Sequence, residues 1–109
     1  VLMHAGITPE DVDRKGIEDI TVEDIKAAES RGKVIKLLCE GRLEDGKVVA
    51  TVKPVEVDQK DMLASVDSTT SVVSITTDLM GKVSIVEHAP EIEQTAYGVF
   101  GDVLRVLEV

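Results

Sequence analysis

Residues 33–57 read KVIKLLCEGRLEDGKVVATVKPVEV, a strand pattern that turns back on itself. Alternation divides its first half between two faces, with Ile35, Leu37 and Cys39 on one and Val34, Lys36, Leu38 and Glu40 on the other. Asp45-Gly46 supplies the positive φ angles of a tight turn, so a hairpin is predicted with its turn at Glu44–Lys47. Pro54 has no N–H, which predicts that the far end of the returning strand, 47–57, lies at an edge or a bulge.

A second hairpin is predicted downstream. Residues 70–77 are dense in β-branched side chains, which favour strands. Asp78-Leu79-Met80-Gly81 is the expected turn, and 82–87 the returning strand. Between the hairpins, residues 58–69 are polar and irregular apart from Met62-Leu63-Ala64.

Helix-start signals flank the hairpins. Thr8-Pro9-Glu10-Asp11 predicts a short helical turn that Gly16 ends. Thr21-Val22-Glu23-Asp24 repeats the signal and predicts a helix over 22–30, with Ile25 and Ala28 facing inward. A last helix is predicted over 91–107 from one apolar stripe at spacings of three and four, formed by Ile92, Ala96, Val99, Phe100, Val103 and Leu107.

This order of elements predicts an α+β fold, a largely antiparallel sheet of two hairpins with helices packed on one face. The 109 residues suffice for a single domain. The opposite sheet face carries Val and Thr as well as Lys, so we expect a second subunit or further chain to cover it. Residues 1–6 look like the tail of a helix without its start, and we therefore expect a partial domain.

The charge and amino-acid composition argue against several classes of binding partner. The net charge of −9 disfavours nucleic-acid binding, and the aromatic residues Tyr97 and Phe100 are too few for a stacking platform. The sequence contains no apolar run of the ~20 residues that a membrane helix needs. A single cysteine, Cys39, excludes an internal disulfide and suits a reducing, cytoplasmic setting.

The residues by themselves do not indicate a reaction. His4, His88 and Cys39 are not clustered as metal ligands, so no metal is predicted and Cys39 is interpreted as a core thiol. The motifs of a serine nucleophile and of a Gly-rich phosphate loop do not occur in the sequence. Glu91 and Glu93 are interpreted as helix-dipole residues rather than a catalytic pair. Each glycine inside the last helix, at 98 and 101, costs about 1 kcal/mol relative to alanine, which predicts close approach of a neighbouring element.

Several stretches, taken in order along the chain, resemble the homoserine dehydrogenase family. They are Gly16-Ile17-Glu18-Asp19-Ile20, Asp24-Ile25-Lys26-Ala27-Ala28, Gly32-Lys33-Val34-Ile35-Lys36-Leu37-Leu38, Val52-Lys53-Pro54-Val55, Met62-Leu63-Ala64-Ser65-Val66, and Thr95-Ala96-Tyr97-Gly98-Val99 with Asp102. The resemblance implies an oxidoreductase of threonine and methionine biosynthesis that interconverts L-homoserine and L-aspartate 4-semialdehyde with NADP or NAD. It also implies a homodimer formed through the sheet and a Rossmann domain outside this chain.

The resemblance also assigns site residues. The family's catalytic lysine and substrate-binding acids match no position here, so no catalytic residue is predicted and the chain alone is expected to be inactive. A Gly-Ala-Gly turn beside the cofactor, counted back from Thr95, falls on Ala89, Pro90 and Glu91, with an earlier glycine at Glu87. These five positions are the predicted cofactor-binding residues. Side chains and a proline replace the usual bare backbone, and Glu91 would accept from free amides or a ribose hydroxyl.

Two other functions are compatible with the residues. Small α+β layers also serve as stand-alone regulatory or interaction modules. A related dehydrogenase of the same architecture would act on another small carbonyl compound, because one fold hosts many activities.

Overall fold

The computed structural model describes residues 6–107, which form two compact units that divide after Ala64. The first unit contains a 3₁₀ turn (Pro9–Asp11), β1 (Val12–Arg14), α1 (Val22–Ser30), β2 (Lys33–Glu44) and β3 (Lys47–Asp58). A second 3₁₀ turn, Met62–Ser65, lies at the division. The second unit contains β4 (Ser71–Thr77), β5 (Gly81–Glu87) and α2 (Ile92–Val106). The predicted α+β class is confirmed.

The first unit is built on the predicted hairpin. β2 and β3 pair antiparallel from Lys33–Asp58 to Glu44–Lys47. Asp45 and Gly46 at the turn have φ angles of 50° and 75°, as the Asp-Gly pair predicts. β1 then pairs parallel to β3 on its other side. The sequence did not predict β1, because three residues are too short to show a period.

Pro54 lies where β3 extends beyond its short neighbour β1, so one side of β3 is an open sheet edge there, as predicted. The Val52 carbonyl faces β1, where it accepts a hydrogen bond from the Lys15 N–H at 2.8 Å. Residues two apart in a strand direct their backbone groups to the same side, so the nitrogen of Pro54 faces that side too. The pairing of β1 with β3 ends at Val52, and the missing N–H of Pro54 therefore costs no ladder bond.

Replacing Gly46 by Ala is expected to lower the free energy of unfolding by about 1–2 kcal/mol, because a Cβ disfavours the left-handed region. An added Cβ would meet nothing within 4 Å, so the cost is conformational rather than steric. Urea unfolding followed by circular dichroism measures it. Gly98→Ala is the matched control: it also enters open space, but within a helix, and should stabilise by up to about 1 kcal/mol. Equal effects of the two substitutions would contradict this account.

A capping box begins α1 at the residues that the sequence indicated. One Asp24 carboxylate oxygen accepts from the Thr21 N–H at 2.9 Å and from its hydroxyl at 2.6 Å, and the Asp24 N–H donates to Thr21 Oγ1 at 3.2 Å. The helix ends at Ser30. Gly32, two residues later, has a φ of 68°, a left-handed conformation that commonly ends helices. It packs against β2 and fully buries Ala28, whereas Ile25, predicted to face inward, stays 44% exposed.

The α1 cap should weaken in acid. The hydrogen bonds from Thr21 hold the pKa of Asp24 below its ordinary value of 3.8. Because the pKa of Asp24 is lower in the folded state than in the unfolded state, the ionised carboxylate stabilises the folded state. This contribution is fully present above the pKa of the unfolded state and is lost as the pH falls through the pKa of the folded state. The Asp24 carboxyl carbon, followed by NMR, should therefore titrate below 3.8, and protection of the first-turn amides should fall with it. Asp24→Asn should remove that pH dependence; a titration at or above the ordinary value would refute the prediction.

The core of the first unit lies on one face of its sheet. Among the described residues, the buried apolar side chains are Ala28 and Val57, which is 6% exposed. Val57 pairs with Val34, so the even-numbered side chains of β2 share its face.

The prediction of a core thiol was wrong: Cys39 is exposed. It lies on the opposite face with Leu37 and Leu43, which are 49% and 63% exposed.

The second unit contains the second predicted hairpin. β4 and β5 pair antiparallel from Ser71–Glu87 to Thr77–Gly81, and the Ser74 and Ser84 hydroxyls lie 2.8 Å apart across the ladder. The two hairpins belong to separate sheets of three and two strands, rather than to one sheet. Alternation predicts a hairpin's internal register, but which edges pair depends on contacts distant in sequence.

The predicted apolar stripe of the last helix is present on α2 and is exposed. Val99, Phe100 and Val103 are 63%, 58% and 48% exposed, so α2 does not bury its stripe in the described part of the chain. The close approach expected at the two helical glycines is not made there either, because a Cβ at Gly98 or Gly101 would meet nothing within 4 Å. Within residues 6–107, no helix combines the length and apolarity needed to cross a membrane.

Candidate functional site

The predicted cofactor-binding residues follow one another from the end of β5 into α2. Glu87 is the last residue of β5, Ala89 and Pro90 form the connection, and Glu91 is the N-cap of α2. Thr95 lies on the helix, four residues after the cap. The chain connection alone therefore brings the five residues close together. Residues 87–91 are named here the 87–91 loop, and Thr95 follows on α2.

Ala89 adopts a backbone conformation that is unusual for its type. Its φ is 42°, in the left-handed region, which a Cβ disfavours, and the following Pro90 restricts it further toward extended conformations. Glycine is the residue that tolerates this conformation best. The Ala89 N–H donates to Thr70 Oγ1 at 3.1 Å.

Thr70 was missed by sequence reasoning. It is half-buried just before β4, and its own N–H donates to the Asp67 carbonyl at 3.0 Å. The only available signal was the register of the second hairpin. Because Ser71 pairs with Glu87, Thr70 must lie beside the residues that follow β5.

Acidic residues lie at the end of β5 and at the start of α2. The Ser71 hydroxyl donates to the Glu87 carboxylate at 3.4 Å. The Glu91 N–H donates to Gln94 Oε1 at 2.8 Å, one half of a capping box, and Glu93 lies in the first helical turn. These positions agree with the interpretation of Glu91 and Glu93 as helix-start residues.

Two backbone N–H groups of the 87–91 loop are already used in hydrogen bonds. A pyrophosphate is usually held by unpaired backbone N–H groups. Here the N–H groups of Ala89 and Glu91 are already bonded, and Pro90 has none. The carboxylates of Glu87, Glu91 and Glu93 would repel a phosphate, whereas a carboxylate can accept from a ribose hydroxyl.

Other surfaces of the described residues offer weaker candidates. An open, mostly apolar groove of about 360 Å³ lies between α1 and β2, lined by Ile17, Ile20, Ile25, Glu29, Val34, Ile35, Lys36 and Leu37. No group of three or more potential metal ligands occurs within 6–107. His4 lies outside the described residues, as do residues 1–5 of the stretch 1–6 that was interpreted as a helix tail.

Comparisons with known proteins agree with one another. The model of the family described as homoserine dehydrogenase matches residues 1–104. The NAD(+)-dependent homoserine dehydrogenase of Pseudomonas canavaninivorans is 31% identical over 106 residues, which are 96% of this chain and 30% of that protein. The homoserine dehydrogenase of Corynebacterium glutamicum is 31% identical over 109 residues, covering 95% of this chain and 24% of that protein.

The fold agrees as well. The crystal structure of Staphylococcus aureus homoserine dehydrogenase superimposes with a TM-score of 0.79 at 34% identity, over 93% of this chain and 26% of that one. The chain thus spans less than a third of the length of the relatives that it matches. The resemblance found in the sequence is confirmed.

Proposed function

The chain belongs to the homoserine dehydrogenase family, and from this premise we propose that it is the C-terminal part of that enzyme's substrate and dimerisation domain. The parent protein would interconvert L-homoserine and L-aspartate 4-semialdehyde, in threonine and methionine biosynthesis in the cytoplasm. The observation that carries the proposal is the family match over residues 1–104, and the shared fold agrees with it. A Rossmann domain elsewhere in the parent would hold most of the cofactor.

The proposed contribution of this chain is one wall of the cofactor site. The bound nicotinamide, as NAD or NADP, would accept a hydride from the carbinol carbon of homoserine. Glu87, Ala89, Pro90, Glu91 and Thr95 would line its ribose side. One observation supports that placement, the left-handed backbone of Ala89. Strained backbone of this kind tends to occur at ligand sites. The family resemblance, counted back from Thr95, aligns these positions with a cofactor turn whose glycines are replaced here by side chains and a proline.

The second proposed contribution is a homodimer interface on the sheet of the first unit. The face with Leu37, Cys39 and Leu43 exposes apolar side chains that a monomer rarely leaves uncovered. A second subunit would bury them. The exposed thiol of Cys39 also suits a reducing compartment.

The experiment is a steady-state assay of the full-length parent protein. Homoserine, with NAD and with NADP, should yield reduced nicotinamide, measured by absorbance. Other small hydroxy acids and amino alcohols should react much more slowly. A folded parent that reduces neither cofactor with homoserine would overturn the proposal, and faster turnover of another hydroxy compound would favour a related dehydrogenase.

A further inference from the structure

Thr70 and Ala89 are joined by a hydrogen bond of 3.1 Å. They are 19 residues apart, and their hydrogen bond joins the segment before β4 to the segment after β5. The bond therefore links the two ends of the hairpin at the point where the chain leaves for α2. Neither residue has a catalytic group.

We infer that Thr70 is a positioning residue: its hydroxyl fixes the Ala89 backbone, and with it the 87–91 loop, in the left-handed conformation that leads into α2. The inference rests on the proposed function for the role of the loop, but the contact itself does not. Alanine before proline strongly prefers extended backbone, so the observed φ of 42° needs an opposing interaction. Among the described contacts, the bond from the Ala89 N–H to Thr70 Oγ1 supplies one.

Thr70 is itself held in place. It is half-buried, and its N–H donates to the Asp67 carbonyl at 3.0 Å, which closes a turn ahead of β4. On the other side of the loop, the Glu91 N–H is bonded to Gln94 Oε1. The loop is thus tied at Ala89 and at Glu91, and losing the first tie would release Ala89 and Pro90 while the helix cap stays.

The kinetic test uses the full-length parent with Thr70→Val, which keeps the branched shape and removes the hydroxyl. The KM for the nicotinamide cofactor should rise about threefold to tenfold, the range expected for losing one hydrogen bond, while the homoserine KM and kcat stay unchanged. Thr70→Ser should restore the wild-type KM. Thr76→Val, at an exposed position of β4, is the matched control and should behave as wild type. A cofactor KM in Thr70→Val equal to that of Thr76→Val would overturn the inference.

Ala89→Gly separates positioning from direct contact. Glycine adopts positive φ without penalty, so adding Ala89→Gly to Thr70→Val should recover part of the lost cofactor affinity. No recovery would mean that the hydroxyl acts by some route other than the Ala89 backbone, contrary to the inference.

A readout independent of activity separates this inference from the proposed function. In the 109-residue chain, hydrogen exchange of the Ala89 amide should speed up in Thr70→Val and not in Thr70→Ser. If the parent shows no homoserine dehydrogenase activity but this exchange pattern holds, the proposed function fails and the positioning contact stands. Unchanged exchange would refute the contact itself.

Discussion

The isolated 109-residue chain is expected to show no homoserine-dependent reduction of NAD or NADP above the uncatalysed background. Turnover needs a proton acceptor at the homoserine hydroxyl and a site for the whole cofactor. The family resemblance implies a catalytic lysine for which this chain has no counterpart, and the chain corresponds to 30% of its relative from Pseudomonas canavaninivorans. The expected loss relative to the proposed parent enzyme is therefore complete rather than partial.

The measurement is the nicotinamide absorbance assay, with the full-length parent at equal concentration as the positive control. Circular dichroism of the isolated chain must show helix and strand, so that inactivity is not mistaken for unfolding. Turnover that scales with the concentration of the isolated chain would contradict the prediction. It would mean that residues 1–109 include the catalytic groups.

Val57→Asp is expected to destabilise the first unit by about 3 kcal/mol or more, because it buries a charge in a small core. Val57 is 6% exposed, and Ala28 is the other buried apolar residue among those described. A core this small has little remaining apolar burial with which to offset the loss. We expect the β2–β3 hairpin to lose most of its hydrogen-exchange protection.

Val49→Asp is the matched control on the same strand. Val49 is 37% exposed and pairs with Arg42, whose charge would favour a neighbouring carboxylate. Its effect on the free energy of unfolding should stay below about 1 kcal/mol. Urea unfolding of both variants measures the difference, and equal effects would show that Val57 is not part of the core.

Local signals predicted most elements of this chain because they act over a few residues. The side chains of Thr21 and Asp24 each accept a hydrogen bond from the other's backbone N–H within one turn. The start of α1 could therefore be predicted from four consecutive residues. Asp45-Gly46 set the turn of the first hairpin in the same way. β1 was missed because its three residues become a strand only through the parallel partner β3.

The candidate site also contains both residues that the sequence indicated and one that it did not. The five predicted cofactor-binding residues are close together in sequence and were named from the family resemblance, and their role stays a prediction. Thr70 could not be predicted, because its bond to Ala89 spans 19 residues. Cys39 was misassigned because alternation separates the two faces of a strand without saying which is buried.

By itself, the sequence determined the family, the α+β class, the two hairpin turns and the helix starts, since each depends on neighbouring residues or on ordered motifs. Only the tertiary structure decided that the hairpins form separate sheets, that the face with Val57 is the buried one, and that Thr70 holds a left-handed Ala89. Those outcomes depend on which distant surfaces meet. Burial and pairing are properties of such contacts, and no short stretch of residues contains them.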